Sequence, residues 1–209
     1  MIYTKNLAYA HPGGRQLEFP DITCKSGEVL LIAGQSGTGK TTLLHLLAGL
    51  LRPTRGRINV ADSFIEEFSP AAMDAFRGRH IGIIYQQSHF IASLSLRENL
   101  VLPVALGHHR AQAGRLQAVA EKLGISALLY KKPARLSQGE QQRASIARAL
   151  MQQPGLLLAD EPTASLDDHN CAAVAQLLAE QAREQNAALL IVTHDSRLKE
   201  IFANQITLS

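Results

Sequence analysis

The sequence predicts an α/β fold: a mostly parallel sheet covered by helices on both faces, with a stretch of helices inserted. Two observations predict it. Short runs that are apolar throughout, such as GEVLLIAG and GLLLAD, alternate with longer segments whose apolar residues recur at helical spacing. Strands apolar on both faces are the mark of a parallel sheet buried on both sides. From Phe90 to Met151 the strand-like runs stop and only helical periodicity remains. The 209 residues are long enough to bury most of their apolar surface. They are read as one domain. A core with a small antiparallel β subdomain takes 1–89 and 152–209, and a helical subdomain takes about 90–151.

The elements follow in order. Ile2 to Tyr9 and Gln16 to Phe19 read as strands, punctuated by a turn at Pro12, Gly13 and Gly14. GEVLLIAG is a buried strand, and TTLLHLLAGLL a helix stopped near Gly49 to Pro53. RGRINV and IGIIY are strands, with a short helix around Ala71 to Phe76 between them. In the helical region Leu116, Val119, Ala120 and Leu123 share one face, and Gly107 to Gly114 and Tyr130 to Pro133 divide it. GLLLAD then forms a buried strand, Val174, Leu177, Leu178 and Ala182 mark a helix, ALLIVTH is a buried strand and QITLS an edge strand.

Composition excludes several classes. The net charge of +3 is small, which suits a solvated surface better than a nucleic-acid face, and no nucleic-acid partner is expected. Cys24 and Cys171 show neither disulfide nor zinc spacing, so a reducing cytosol is expected. No stretch of about 18 apolar residues is present. MIYTKNLAYAHPGG has no basic region leading into an apolar run, so no secretory signal is visible.

The chemistry is concentrated in four places. Gly34, Gln35, Ser36, Gly37, Thr38, Gly39, Lys40, Thr41 and Thr42 spell GQSGTGKTT, a phosphate loop in its confirming context between a buried strand and a helix. Its N–H groups and the helix N-terminus favour phosphate oxygens, Lys40 reaches the β- and γ-phosphates, Thr41 ligates Mg²⁺, and Thr42 can bond another phosphate oxygen. Asp160 and Glu161 end a buried strand, where parallel sheets place ligands. Asp160 suits Mg²⁺, and Glu161 suits orienting or deprotonating the attacking water. His194 and Gln86 end two further strands, His194 suited to the γ-phosphate and Gln86 to Mg²⁺ or the water. The plainer readings are a structural histidine and a loop glutamine. Finally, LSQGE begins a helix with the capping-box pair Ser137 and Glu140, yet carries Gly139, which weakens a helix by about 1 kcal/mol relative to Ala.

In this order the motifs resemble an ATP-binding cassette ATPase over the whole chain: GQSGTGKT, Gln86, LSQGE, LLLADE, SLD at Ser165 to Asp167, and His194. The resemblance implies a P-loop NTPase, RecA-like core, ATP and Mg²⁺ as cofactors, and a dimer with a second copy in which Ser137, Gln138 and Gly139 face the partner's γ-phosphate. Asp167 is implied to lie near the dimer seam. Gln138 stands where the family usually has glycine, so its side chain must point away from phosphate. The adenine-stacking position, often tyrosine, aligns with His11; Tyr9, two residues earlier, competes with it. The compact length and the segment after Gln86 resemble the lipoprotein-release, macrolide-efflux and cell-division cassettes, though importer cassettes share much of this pattern. An integral membrane permease is thereby implied as partner, received near Phe90, Ile91 and Leu94, with the chain peripheral on the cytoplasmic face of the membrane. Those three residues read equally as local packing, and Arg97 and Glu98 as an exposed helix-start pair. Soluble cassettes acting on DNA or ribosomes carry a long coiled coil or a second cassette, neither of which is in this sequence. An unrelated P-loop kinase would leave LSQGE, SLD and His194 without a role.

Overall fold

The computed structural model describes residues 1–11, 13–106, 114–164 and 166–208, with residue 169 described by its backbone alone. The expected turn residue Pro12, the break from Gly107 to residue 113, and Ser165 of SLD lie outside the described residues.

Two sheets form. The parallel one contains β4 (Val29–Gly34), β7 (Ile81–Ile84), β8 (Leu156–Asp160), β9 (Ala188–Thr193) and β10 (Gln205–Leu208), in the order β10-β4-β9-β8-β7, with every described pairing parallel. Gln205–Leu208 is thus an edge strand, as expected. Alternate side chains sort to opposite faces. Leu30, Ile32, Leu156, Leu158, Leu190 and Val192 enter one buried cluster. Leu31, Leu157, Ala159, Leu189 and Ile191 enter the other. Each fully buried aliphatic side chain is worth about 1.5–3 kcal/mol, which explains strands apolar on both faces.

The first cluster is closed by α1 (Lys40–Leu47), α2 (Pro70–His80) and the antiparallel sheet, built from β1 (Ile2–Ala10), β2 (Gln16–Glu18), β3 (Thr23–Cys24), β5 (Arg55–Val60) and β6 (Ser63–Phe64). The pairing of β1 with β5 slips between Lys5 and Ala8, where Asn6 takes φ 50°. Before the slip Ile2 and Thr4 are the buried positions; after it Leu7 is buried and Tyr9 packs on the core. α2 is longer than the expected Ala71 to Phe76. Ser69 caps it by accepting from the Ala72 N–H at 3.3 Å, Pro70 opens it, and Arg77 extends it by donating to the carbonyls of Ala48 and Gly49 at 3.4 and 3.0 Å.

The second cluster is closed by α3 (Leu96–Leu106), α4 (Arg115–Lys122), α5 (Gln138–Leu150), α6 (Asp168–Glu184) and α7 (Ser196–Ile201). Between β7 and β8 the described elements are helical. Ile146, Ala147 and Leu150 of α5 nevertheless share a cluster with Leu157 and Leu189 of the sheet. The fit there is close: a Cβ at Gly82 of β7 would lie 2.8 Å from the Ala149 carbonyl oxygen. Among the described residues no helix is long and apolar enough to cross a membrane.

Candidate nucleotide and magnesium site

Four neighbouring strands deliver their C-terminal ends to one place. β4 leads into the phosphate loop, β9 into His194, β8 into Asp160 and Glu161, and β7 toward Gln86. A cleft of about 580 Å³ opens there, lined by His11, Arg15, Leu17, Ser36, Gly37, Gly39, Lys40, Thr41, Thr42, Gln86, Asp160, Glu161 and His194. Residues far apart in sequence therefore face one volume. Gly34, Gln35 and Thr38 instead line an adjoining cavity with Lys199 and Leu208. There Thr38 shapes the loop, its hydroxyl donating to the Gln35 carbonyl at 2.9 Å.

The loop needs its glycines. Gly37 and Gly39 have φ of 86° and 91°, the left-handed region that costs other residues about 1–2 kcal/mol. At Gly39 a Cβ would also come within 3.0 Å of Leu17 and 3.3 Å of Phe19. Lys40 is nearly buried and donates to the carbonyls of Gly34 and Gln35 at 2.8 and 2.9 Å, with its ammonium 3.9 Å from Glu161 Oε1. It is a cation held by weak neutral partners, which phosphate oxygens can outbid.

The acids stand opposite. The Thr41 hydroxyl donates to Asp160 Oδ2 at 3.3 Å. Burial, then the charge of Glu161, push the Asp160 carboxyl above its ordinary value, against the Thr41 bond. Two adjacent carboxylates with a hydroxyl beside them are hard oxygen donors short of positive charge, which fits Mg²⁺. No cluster of three or more acidic, histidine or cysteine ligands occurs among the described residues. A Mg²⁺ here would complete its shell with phosphate and water, as this ion usually does.

Glu161 is held more tightly than the sequence suggests. Its φ is 46°, a strained conformation for a residue with a Cβ, of order 1–3 kcal/mol. Its own N–H donates to the Val192 carbonyl at 2.9 Å. Its carboxylate accepts from the Thr193 hydroxyl at 2.8 Å and from the His194 N–H at 3.1 and 3.2 Å. His194 Nδ1 lies 2.6 Å from Glu161 Oε1. With Nδ1–H donated to Glu161, Nε2 of the neutral ring is an acceptor. A ring that donates from both nitrogens would hold the Glu161 carboxylate and a phosphate oxygen at once.

At the other end of the cleft, Tyr9 and His11 meet edge to face, ring centroids 4.8 Å apart. His11 lines the cleft, while Tyr9 packs on the core. Arg15, Leu17 and Thr193 join the site without having been expected. Arg15 and Leu17 belong to no motif, and Thr193 reads as the last polar residue of a strand.

Ser137, Gln138 and Gly139 are not among the cleft's lining residues. The expected capping box is formed: the Glu140 N–H donates to Ser137 Oγ at 3.3 Å, and the Ser137 N–H to Glu140 Oε2 at 2.7 Å. Those bonds hold the Glu140 carboxyl below its ordinary range. Gly139 has no positive φ, and a Cβ there would meet only Arg143 at 3.8 Å. Among the described residues nothing requires that glycine. Asp167 caps α6, accepting from the Asn170 N–H at 2.9 Å.

The segment after Gln86 divides. Ile91, 45% exposed, lines an apolar cavity of about 330 Å³ with Tyr85, His89, Leu102, Pro103 and Leu106. Phe90 packs on the core beneath the Arg148 guanidinium, 4.9 Å from its ring centre. Leu94 lies outside that cavity. Glu98 starts α3 by pairing with Ser95, not with Arg97.

A family model described as ABC transporter matches residues 17–164. Over 184 residues the chain is 41% identical to the lipoprotein-releasing system ATP-binding protein LolD of Chromohalobacter salexigens, covering 87% of this chain and 78% of that protein. It is 40% identical over 191 residues to LolD of Psychrobacter arcticus, covering 90% and 84%. Among solved structures, a dimeric ATP-binding cassette in a post-hydrolysis state, bound to ADP and Pi, superposes with a TM-score of 0.88 at 29% identity, covering all of this chain and 94% of that one. A Clostridium perfringens cassette that is part of an ABC transporter complex superposes with a TM-score of 0.82 at 29% identity, covering 93% and 78%.

Proposed function

The chain belongs to the ABC transporter family, and we propose that it is the ATP-hydrolysing subunit of a lipoprotein-release or efflux type of complex, converting ATP-driven dimer closure into movement of a membrane partner. One observation carries the catalytic part: a single cleft gathers the phosphate loop, Gln86, Asp160, Glu161 and His194 from the ends of four adjacent strands. The relatives named for lipoprotein release support the narrower assignment.

In this reading the loop amides and Lys40 hold the β- and γ-phosphates, Lys40 exchanging two carbonyls for charged oxygens. Thr41, Asp160 and Gln86 would hold Mg²⁺, which when bound supplies positive charge to the phosphate oxygens. Glu161 orients and deprotonates the attacking water, fixed by Thr193 and the His194 backbone. His194 contacts the γ-phosphate while keeping Glu161. His11 stacks on adenine. The division into a core with β subdomain (1–89 and 152–209) and a helical subdomain (about 90–151) belongs to the same reading, as does a dimer that sets Ser137 and the Gly139 N–H of one copy against the nucleotide of the other. Gly139, needed by nothing among the described residues, supports that closure. Two-fold symmetry then gives two nucleotide sites with Asp167 near the seam. The apolar cavity beside Ile91 and Leu106 suits an apolar segment of a permease, which would hold the chain on the cytoplasmic face of the membrane.

The test is recovery of the Glu161→Gln variant, with ATP, from detergent-solubilised native membranes. A co-purifying membrane subunit with a large extracytoplasmic domain is the expected result. An importer-type permease would refute the release and efflux assignment, and a stable ATP dimer without a membrane partner would refute transport.

A further inference from the structure

Behind the cleft one guanidinium makes more bonds than any motif assigns it. Arg197 Nε donates to both oxygens of Asp195 at 2.9 and 3.1 Å, and Nη2 donates to Asp195 Oδ2 at 2.7 Å. Nη1 donates to the Leu166 carbonyl at 3.1 Å and to Asp168 Oδ1 at 2.7 Å, and Nη2 reaches the Thr163 carbonyl at 3.4 Å. Arg197 therefore grips residues on both sides of Asp167. The chain of bonds continues inward. Asp195 Oδ2 accepts from the Thr163 hydroxyl at 2.9 Å, the Asp195 N–H donates to Thr193 Oγ1 at 2.9 Å, and that hydroxyl donates to Glu161 Oε2 at 2.8 Å. Thr163 and Thr193 are fully buried, so water does not compete for these bonds. The fork geometry matters: a lysine has one nitrogen and cannot span Asp195, two carbonyls and Asp168 together.

We propose that Arg197 is a positioning residue that ties the loop carrying Asp167, through Asp195 and Thr193, to the carboxylate of Glu161. Contact made at Asp167 by a second copy is thereby felt at the group that orients the attacking water. The inference rests on the roles given above to Asp167 and Glu161.

Amide hydrogen exchange and steady-state turnover on the full chain test it. In Arg197→Leu, amides of 163–168 exchange at least about tenfold faster, and kcat falls about tenfold to a hundredfold while KM for MgATP stays within about twofold, because the phosphate loop is untouched. Arg197→Lys, which keeps the Asp195 pair, lies between. Unchanged exchange at 163–168 overturns the tie; faster exchange with wild-type kcat overturns the positioning role. Should Arg197→Leu not fold, Arg197→Lys and Asp168→Asn are judged by the same two readouts, Asp168 having a side chain 93% exposed. A wild-type chain that binds MgATP without hydrolysing it removes the hydrolase reading alone. Exchange at 161 and 193 in the nucleotide-bound Arg197→Leu chain then decides, and wild-type rates there refute the tie.

Discussion

The cleft at the phosphate loop and the helix start at Ser137 both offer backbone N–H groups to an anion, yet they are completed differently. In the cleft, Lys40 rests on carbonyls and Glu161 on Thr193 and His194, so in the proposed role a nucleotide binds there by exchanging bonds already made. At Ser137 the capping box is closed and satisfies the N–H groups of Ser137 and Glu140. What remains there is an unexplained glycine. The first region is a cleft built within one chain. The second is, in the proposed dimer, half a site that a second copy completes.

The sharpest way to separate the two is Glu161→Gln. Turnover should fall about 10²–10⁴-fold, with nucleotide affinity kept and an ATP-bound dimer accumulating, as seen by light scattering after gel filtration. Turnover at the wild-type rate would remove Glu161 from the chemistry. Ser137→Arg, in the Glu161→Gln background, should weaken ATP-dependent dimerisation at least about tenfold, or 1.4 kcal/mol, while the monomer still binds nucleotide. Normal dimers in that variant would erase the distinction between whole site and half site. His11→Ala should weaken ATP binding by roughly 0.5–1.5 kcal/mol, measured by calorimetry. Tyr9→Ala should lower the melting temperature instead. The reverse pattern would make Tyr9 the adenine platform.

Acid divides the regions more gently. Pairing with Arg197 holds the Asp195 carboxyl at about 2, below the roughly 3.9 of an unfolded aspartate. Its contribution is therefore full above about pH 5 and is lost as pH falls toward 2. Glu140 is depressed by its bonds to Ser137 but lies in solvent, where such pairs contribute little. In acid titrations followed by circular dichroism, Asp195→Asn should flatten the loss of stability more than Glu140→Gln; equal slopes would show the two anchors to be equivalent. The smallest expected effect is that of Gly139→Ala on the isolated chain: less than about 1 kcal/mol in stability, with dimerisation weakened. A large loss of monomer stability would return the glycine to its own helix.

Much of this was legible because phosphate chemistry demands fixed residue types at fixed spacing. Gly34 to Thr42, Asp160, Glu161 and the strand ends carrying Gln86 and His194 are of that kind. The sheet was legible because Leu156 to Ala159 and Leu189 to Val192 are apolar on both faces. The length of α2 escaped, although Ser69 followed by Pro70 is a helix-start signal; Arg77, bonded to a distant turn, carries the helix further. Arg15, Leu17 and the Arg197 fork escaped because no motif spacing announces them, and Arg197 also bonds Thr163, Leu166 and Asp168, about thirty residues earlier. The strained backbone of Glu161 escaped for the opposite reason. Glutamate is a poor guess for a left-handed position, and it is held there by bonds to β9 that only the folded sheet supplies.

The slip in β1 has an arithmetic consequence. A strand counts in twos, and the extra residue near Asn6 changes its parity: the even residues Ile2 and Thr4 are buried before it, while after it the odd residues Leu7 and Tyr9 join the core cluster, with Ala8 between them also buried. His11, just past the end of the strand, lines the cleft. Deleting one residue there would leave the phosphate loop, both acids and His194 untouched while moving the ring proposed to stack on adenine. The phosphate loop and the proposed adenine contact are thus encoded separately, joined only by a count of residues.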